Sequence, residues 1–498
     1  MKFKYAVALC LVLCILSGCS RHNNVPITSI QQMNDSRYTI GYGEGHSAYT
    51  SIKESLQKAQ LRSFNSHITG FEAVRQGKID GYAFERLQME MAIKDGLSGV
   101  RVLEGDLSKP IESAAAISPV TKIPDLEGKI NAFLAEIKAD GTFEEIEKRW
   151  LWERNETMPD IPEPPVPQYH LTVGTTAEVT PFSFYKGTML TGMDIEIAKR
   201  FALWLGADLE FKIYDYNGIV AAALAGDIDC ILANLNVTPE RKEKIAFSDT
   251  MYSIANAILI KDQGHNSDGR GVWQRLSSSF EKTFIREARW KLIAEGIGIT
   301  IVISLSAAIL GTLLGFCICG MRLCRNRIVN GVALGYIRIM QGMPMVVLLM
   351  ILYYVVFARS DLSGIVVAII GFGMNFGAYV SEMIRTGIQA VDKGQMEAAL
   401  ALGYTKSHAF VRIVLPQAAR HFLPVFQGEF ISMVKMTSVV GYIAIQDLTK
   451  AGDIIRSRTF EAFFPLVVIS VIYFIIAWLL TRILVALQNH FDPKRRRK

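Results

Sequence analysis

The chain has 498 residues, is 50% hydrophobic and carries a formal net charge of +6. That length allows about three domains. Much of the excess charge sits in the closing run 494–498, which excludes a nucleic-acid-binding protein and instead marks one side of a membrane. The apolar residues are uneven: the first half reads as soluble, and the chain from about residue 290 reads as membrane.

The start, 1–19, reads as a targeting segment. Lys2 and Lys4 precede an apolar run over 5–16 that is too short to span a bilayer and fits a secretory signal. Leu16-Ser17-Gly18-Cys19 resembles a bacterial lipobox, which implies cleavage before Cys19 and acylation of its thiol; an uncleaved anchor is the alternative. Of the seven cysteines only Cys230 lies in the soluble part, so no disulfide framework is expected there.

Residues 27–155 read as α/β. A strand over 36–41 leads into a glycine-rich turn at 41–47, helices follow over 48–58 and 70–76, and a strand over 79–84 comes next. Strand–helix alternation predicts a mainly parallel sheet. The turn lacks the Gly-Lys-Ser/Thr of a P-loop, and no P-loop is found elsewhere, so any ATPase would be a separate polypeptide. No cofactor or metal site is read. An amphipathic stretch over 129–151, interrupted at Gly141, runs into a stiff proline-rich linker at 156–168. Over 169–262 the α/β pattern resumes, with a strand at 170–174 and a helix at 194–205, and 263–290 reads as a second linker.

The two α/β blocks resemble the polar amino-acid binding proteins of ABC importers. LTVGTTAEVTPFSFYKGTMLTGMDIEIAKRF and GDIDCILANLNVTPERKEKIAFSDTMY match the opening of that family's larger lobe. ITSIQQMNDSRYTIGYGEGHS and QGKIDGYAFE match its smaller lobe, and EEIEKRWL matches its closing helix. The order is changed, since the small lobe and closing helix (27–155) precede the large lobe (169–262). A circular permutation accounts for this, because termini that lie close together can be joined by a short linker. Two truncated domains, each completed by another chain, are the alternative. The resemblance implies that Arg241 binds a ligand carboxylate, which suits a planar guanidinium. Asn234, Asn236 and Thr238 would add polar groups, and Ser47 with neighbouring His46 would donate from the other lobe. Glu85 would bind the ammonium. Relatives carry an acid where this chain has Thr176 and an aromatic where it has Val179, while Tyr216 fills a second aromatic position. Side-chain specificity is therefore left open.

Five apolar segments, 292–318, 333–357, 363–385, 418–440 and 463–488, are each long enough to span. Arg322, Arg325 and Arg327 suggest that the loop after the first faces the cytosol, which puts 386–417 inside and 441–462 outside. Lys450, Arg456 and Arg458 in the outer loop are a mild exception to this charge rule, offset by Asp447, Asp453 and Glu461. Glu382, Arg385 and Lys435 within spans read either as a pathway or as an intramembrane ion pair. Over 291–490 the chain resembles permeases of histidine- and glutamine-type importers. The segment EAALALGYTKSHAFVRIVLP, with Glu397, Ala398, Ala399, Gly403 and Pro416, resembles their EAA loop, which docks into the ATPase.

The expected fold is a two-lobed α/β binding domain followed by an all-α polytopic membrane domain. The expected function is an amino-acid importer subunit in a bacterial cytoplasmic membrane, not itself an enzyme. Its expected partners are an amino acid ligand, the lipid bilayer, a second copy of the permease (a homodimer) and an ABC ATPase subunit. An amino-acid-gated channel or a solute sensor is the alternative.

Overall fold

The computed structural model describes residues 26–216, 218–262, 271–358, 360 and 362–491; the targeting segment with Cys19 and the basic tail lie outside them. The first lobe opens with β1 (Thr39–Gly43), β2 (Gln60–Phe64), β3 (Gly81–Glu85) and β4 (Val100–Val102). Helices Ala48–Ser55, His67–Arg75 and Arg86–Lys94 alternate with them. β1 pairs in parallel with both β2 and β3, as the alternation predicts. The chain crosses to the second lobe through β5 (Ile111–Ser113) and β6 (Ala116–Ile117). That lobe adds β7 (Tyr169–Thr175), β8 (Glu178–Val179), β9 (Ser183–Lys186) and β10 (Met189–Thr191). It continues with β11 (Ala207–Ile213), β12 (Cys230–Ile231) and β13 (Ala246–Phe247). The return runs through β14 (Tyr252–Ile254), paired antiparallel with β5, to β15 (Asn256–Lys261).

The sheet orders are β2-β1-β3-β15-β4 and β11-β7-β12-β6-β13. Both lobes are thus completed within one chain, and the β5–β14 pair lies at the two crossings. One boundary differs from the sequence reading: 256–261 belong to the small-lobe sheet, not to the large lobe. Ala257, Ile258, Leu259 and Ile260 are all buried. A strand without a polar face is stable only in the middle of a covered sheet, and β15 sits between β3 and β4.

Among the described residues of the membrane half, three helices are long and apolar enough to cross a bilayer, Trp290–Leu323, Gly364–Gln389 and Phe464–Ala486, or up to five spans if each of two bent pairs counts as one. The first two cross at glycines. A Cβ on Gly311 would sit 2.7 Å from the Gly373 carbonyl oxygen, and one on Gly315 would sit 2.6 Å from Val380, so only small residues permit this approach. The expected second span is not one straight helix. Arg327–Gly342 and Met345–Val356 meet at 110°. Pro344 has no N–H to donate and drives Met343 into an extended conformation (φ −99°, ψ 132°). The expected outer loop 441–462 is mostly a buried helix, Leu448–Thr459, bent 58° from the helical run before it.

Trp290–Leu323 is about 51 Å long at 1.5 Å per residue. Near its start, Thr300 accepts the Leu448 N–H at 3.3 Å. Near its other end, Arg322 reaches Glu382 at 3.4 Å, and Glu382 also pairs with Arg385 at 2.6 Å. Glu382 and Arg385 therefore form an ion-pair cluster with Arg322. The Leu448–Thr459 helix and the 393–414 segment lie at opposite ends of the bundle.

The amphipathic stretch becomes helices Leu126–Ala139 and Thr142–Glu147, with a π turn at Lys148–Trp152. The break falls at Gly141, whose φ is +84°. Trp150 is buried, and its indole N–H donates to Glu196 at 2.7 Å. Glu196 is fully buried and also accepts from Arg149 at 2.6 Å and from Arg200 at 3.0 Å. One carboxylate thus ties the closing segment to the large lobe. Glu196→Ala leaves two guanidinium groups and an indole N–H without their acceptor. It should cost about 3–5 kcal/mol and lower the melting temperature of the binding domain, measured by scanning calorimetry of the whole chain. Glu196→Gln should lose less.

Candidate functional site

The cleft between the lobes is built from residues far apart in sequence. Arg241 sits on a single helical turn, Pro239–Lys242, that starts on Thr238. The Thr238 hydroxyl caps this turn by accepting the Arg241 backbone N–H at 3.3 Å, so its oxygen is already occupied locally. The Arg241 guanidinium donates to the Asn236 carbonyl at 2.8 Å and, across the cleft, to the Gly45 carbonyl at 2.9 Å. It also reaches the Tyr216 hydroxyl at 3.4 Å. Ser47 donates from the small lobe to the Asn236 side-chain oxygen at 2.8 Å. Glu85, the last residue of β3, accepts from Asn234 at 2.7 Å, Asn236 at 3.0 Å and Gln88 at 2.6 Å. His46 lies flat on Tyr216, with ring centroids 3.9 Å apart and an interplanar angle of 7°. A Cβ on Gly43 would come within 2.6 Å of the His46 ring, so glycine is required there.

Arg241, Glu85, Asn234, Asn236, Ser47, His46 and Tyr216 therefore form one connected cluster. Thr176 lies at its edge, buried, 3.5 Å from the Ser183 hydroxyl. Sequence reasoning missed Asp194, Ser113, Asn256 and His67. Asp194 is fully buried and accepts the Asn234 N–H at 2.7 Å and the Tyr252 hydroxyl at 3.0 Å. In the sequence it looks like an ordinary acid in the first turn of a helix. Asn234 has a left-handed φ of 50°, a conformation that non-glycine residues seldom adopt and that marks functional loops.

Burial dominates the electrostatics. It pushes Glu85 up to about 7, against the opposing hydrogen bonds from Asn234 and Asn236, and Asp194 adds to the rise. Burial likewise pushes Asp194 up to about 6. It holds His46 down to about 3 and His67 to about 4, so both imidazoles are neutral at neutral pH.

The cleft adjoins a cavity of about 290 Å³ lined by both lobes and by Tyr442, Asp453, Arg456 and Ser457 of the membrane half. The Leu448–Thr459 helix holds the lobes there. Lys450, 3% exposed, pairs with Glu178 at 2.5 Å and Asp215 at 2.6 Å, both on the large lobe. Arg458 pairs with Glu156 and, at 3.1 Å, with Glu287. Phe460 packs on the small-lobe core. Gln446 and Tyr353 add bonds to Tyr185 at 2.8 Å and Asp227 at 3.1 Å. Lys450 is thus neutralised by the large lobe, Arg458 by Glu156 of the proline-rich linker and Glu287 just before the first membrane helix, and Arg456 by Asp453 at 2.7 Å, which accounts for basic residues in a loop where the charge rule disfavours them.

At the other end of the bundle, Lys393–Ala401 and Lys406–Ala409 form a helix–turn–helix that leads through a π turn into Leu415–Met436. Gly403 makes the turn with φ +86°. Glu397 and Ala398 are exposed while Ala399 is buried. Leu402, at the tip, is 79% exposed. Pro416 falls at the start of the following helix, where a missing N–H is harmless.

Residues 307–497 match the family described as binding-protein-dependent transport system inner membrane component. A protein described as a glutamine transport system permease of Rickettsia bellii is 37% identical over 194 residues, 38% of this chain and 88% of that protein. The histidine/lysine/arginine/ornithine transport system permease of Salmonella typhimurium is 29% identical over 213 residues, 40% of this chain and 93% of that one. A crystal structure of an amino acid ABC transporter with histidines shares 33% identity over 40% of this chain and 94% of its own, with a TM-score of 0.37. The chain belongs to the family of binding-protein-dependent transport system inner membrane components. Its two-lobed α/β domain precedes that membrane domain in one polypeptide.

The burial that pushes Glu85 up to about 7 predicts that opening of the cleft depends on pH. Exposure to water in an open cleft should bring Glu85 back towards its ordinary value near 4.5. The closed form therefore holds its proton more tightly. Its advantage is full below about 4.5 and is lost as pH rises through about 7. Double electron–electron resonance between labels on the two lobes should show more opening at pH 8 than at pH 5. Glu85→Gln, which mimics the neutral acid, should remove the part of that dependence centred near pH 7 and leave only what Asp194, pushed up to about 6, contributes.

Proposed function

We propose that this chain captures an amino acid in its cleft and passes it across a bacterial cytoplasmic membrane, as the fused binding and permease subunit of an ATP-driven importer. The observation that carries this reading is the pairing in one cleft of a guanidinium (Arg241) on the large lobe with a buried carboxylate (Glu85) on the small lobe. A zwitterion offers the two complementary charges, so binding favours closure. The relatives named as amino-acid permeases support the cargo class. In this reading Asn234, Asn236, Ser47 and His46 add polar contacts, Tyr216 and Thr176 line the side-chain end, and Thr238 shapes the Arg241 turn.

The exposed helix–turn–helix around Gly403 is the dock for a separate ATPase, with the binding domain on the extracytoplasmic side. A second copy of the permease completes the path. Along Leu415–Met436, His421, Val425, Gly428 and Lys435 fall on one exposed face. A lysine facing lipid is costly, whereas a second permease against this face would bury it beside a polar route.

Arg241→Ala should abolish the thermal shift that the cognate member of an amino-acid panel produces, and an unchanged shift would refute the carboxylate role. Gly403→Asp should leave that shift intact, because no neighbour lies within 4 Å of an added Cβ. The strained φ should nevertheless disrupt the turn and abolish ATP-driven uptake in proteoliposomes. Uptake that survives Gly403→Asp, or that needs no ATPase, would favour a channel.

A further inference from the structure

The ligand cleft does not end at the His46–Tyr216 stack. Arg241, Glu85, Asn234, Asn236 and Ser47 lie on its inner side and do not line the 290 Å³ cavity, whereas His46, Tyr216 and Thr176 do. The stack takes one ring from each lobe, so lobe opening parts it. The far wall of the cavity is the membrane half, through Tyr442, Asp453 and Arg456. Sites for drug-sized ligands begin at roughly 300 Å³, so this space suits an amino acid better than a peptide.

Arg456 is buried and imperfectly satisfied. Its Nε donates to the Ala462 carbonyl at 3.1 Å and its Nη1 to Asp453 at 2.7 Å, while its Nη2 has no hydrogen-bond partner among the described residues. A buried guanidinium N–H without an acceptor is unfavourable, and a carboxylate supplies the missing acceptor in a forked geometry. Asp453, one helical turn away, offers the opposite charge. Both line the cavity as an ion pair, whose two charges are the complements of those on an α-amino acid zwitterion.

We propose that this cavity is a second amino-acid site, built jointly by the two lobes and the membrane domain, in which Arg456 receives the carboxylate and Asp453 the ammonium of the ligand leaving the inner cleft. The proposal rests on the reading of the cleft as an amino-acid site. The cavity walls also carry Glu44, Glu178 and Asp215, with Lys450 neutralising part of that charge. An acidic side chain is therefore disfavoured, and aspartate and glutamate should be the poorest ligands here.

The test is calorimetric titration of the full chain in lipid nanodiscs with each proteinogenic amino acid in turn. The wild type should bind its cognate amino acid at two sites of unequal affinity. Arg241→Ala should remove the tighter one, and Arg456→Gln should weaken the other at least ten-fold. Asp453→Asn is nearly isosteric and should do the same, which keeps the test open if Arg456→Gln misfolds. A single site in the wild type, lost in Arg241→Ala and unchanged in Asp453→Asn, overturns the second site while leaving the cleft reading intact. No binding of any amino acid to the wild type overturns the cleft reading, and the second site with it.

Discussion

A lysine almost completely removed from solvent lies between two carboxylates of another domain. Lys450 could not remain charged there alone, since an uncompensated buried ion costs several kcal/mol. Glu178 and Asp215 make its position possible. The contact is mutual: the large lobe neutralises the buried lysine of the helix Leu448–Thr459, and that helix, together with Gln446 and Tyr353, seats the large lobe. Arg458 and Phe460 extend the contact to the linker and to the small lobe. The mouth of the cleft is thereby held over the membrane domain.

Within the cleft the two strongest charged groups already have partners. Arg241 is bound by two carbonyls and a hydroxyl, and Glu85 by three amides. A ligand that replaces these partners with a carboxylate and an ammonium keeps the buried groups satisfied. A molecule lacking either charge leaves a buried polar atom unpaired, which is a strong basis for rejection. On the proposed reading, selectivity for the backbone of an amino acid follows from burial together with hydrogen bonding, with the stacked rings of His46 and Tyr216 at the side-chain end.

Much of this was legible in the sequence where local pattern and physics agree. Strand–helix alternation marked the α/β lobes, hydropathy marked the membrane half, and the Gly403 turn followed from the freedom of glycine at positive φ. That Arg241 and Glu85 come together in the cleft was suggested only by resemblance, because nothing local distinguishes them from surface charges. Three features were not legible. β15 reads as one more apolar run, and only its insertion between β3 and β4 shows which lobe owns it. The bend at Pro344 was hidden by continuous hydrophobicity on both sides of it. Asp194 and Lys450 take their meaning from partners 40 and 235 residues away respectively, Asn234 and Asp215. Long-range pairing of this kind leaves no periodic trace.

The measurement that bears most directly on the account is a distance between the binding domain and its seat. Spin labels at the exposed positions Met189 and Phe463, in a cysteine-depleted full chain in nanodiscs, would report it by double electron–electron resonance. The account predicts one narrow distribution in the otherwise unaltered chain and a broad one in Lys450→Met, where the carboxylates lose their cation. A distribution that stays narrow in Lys450→Met would contradict the claim that this buried ion pair holds the capture domain over the permease.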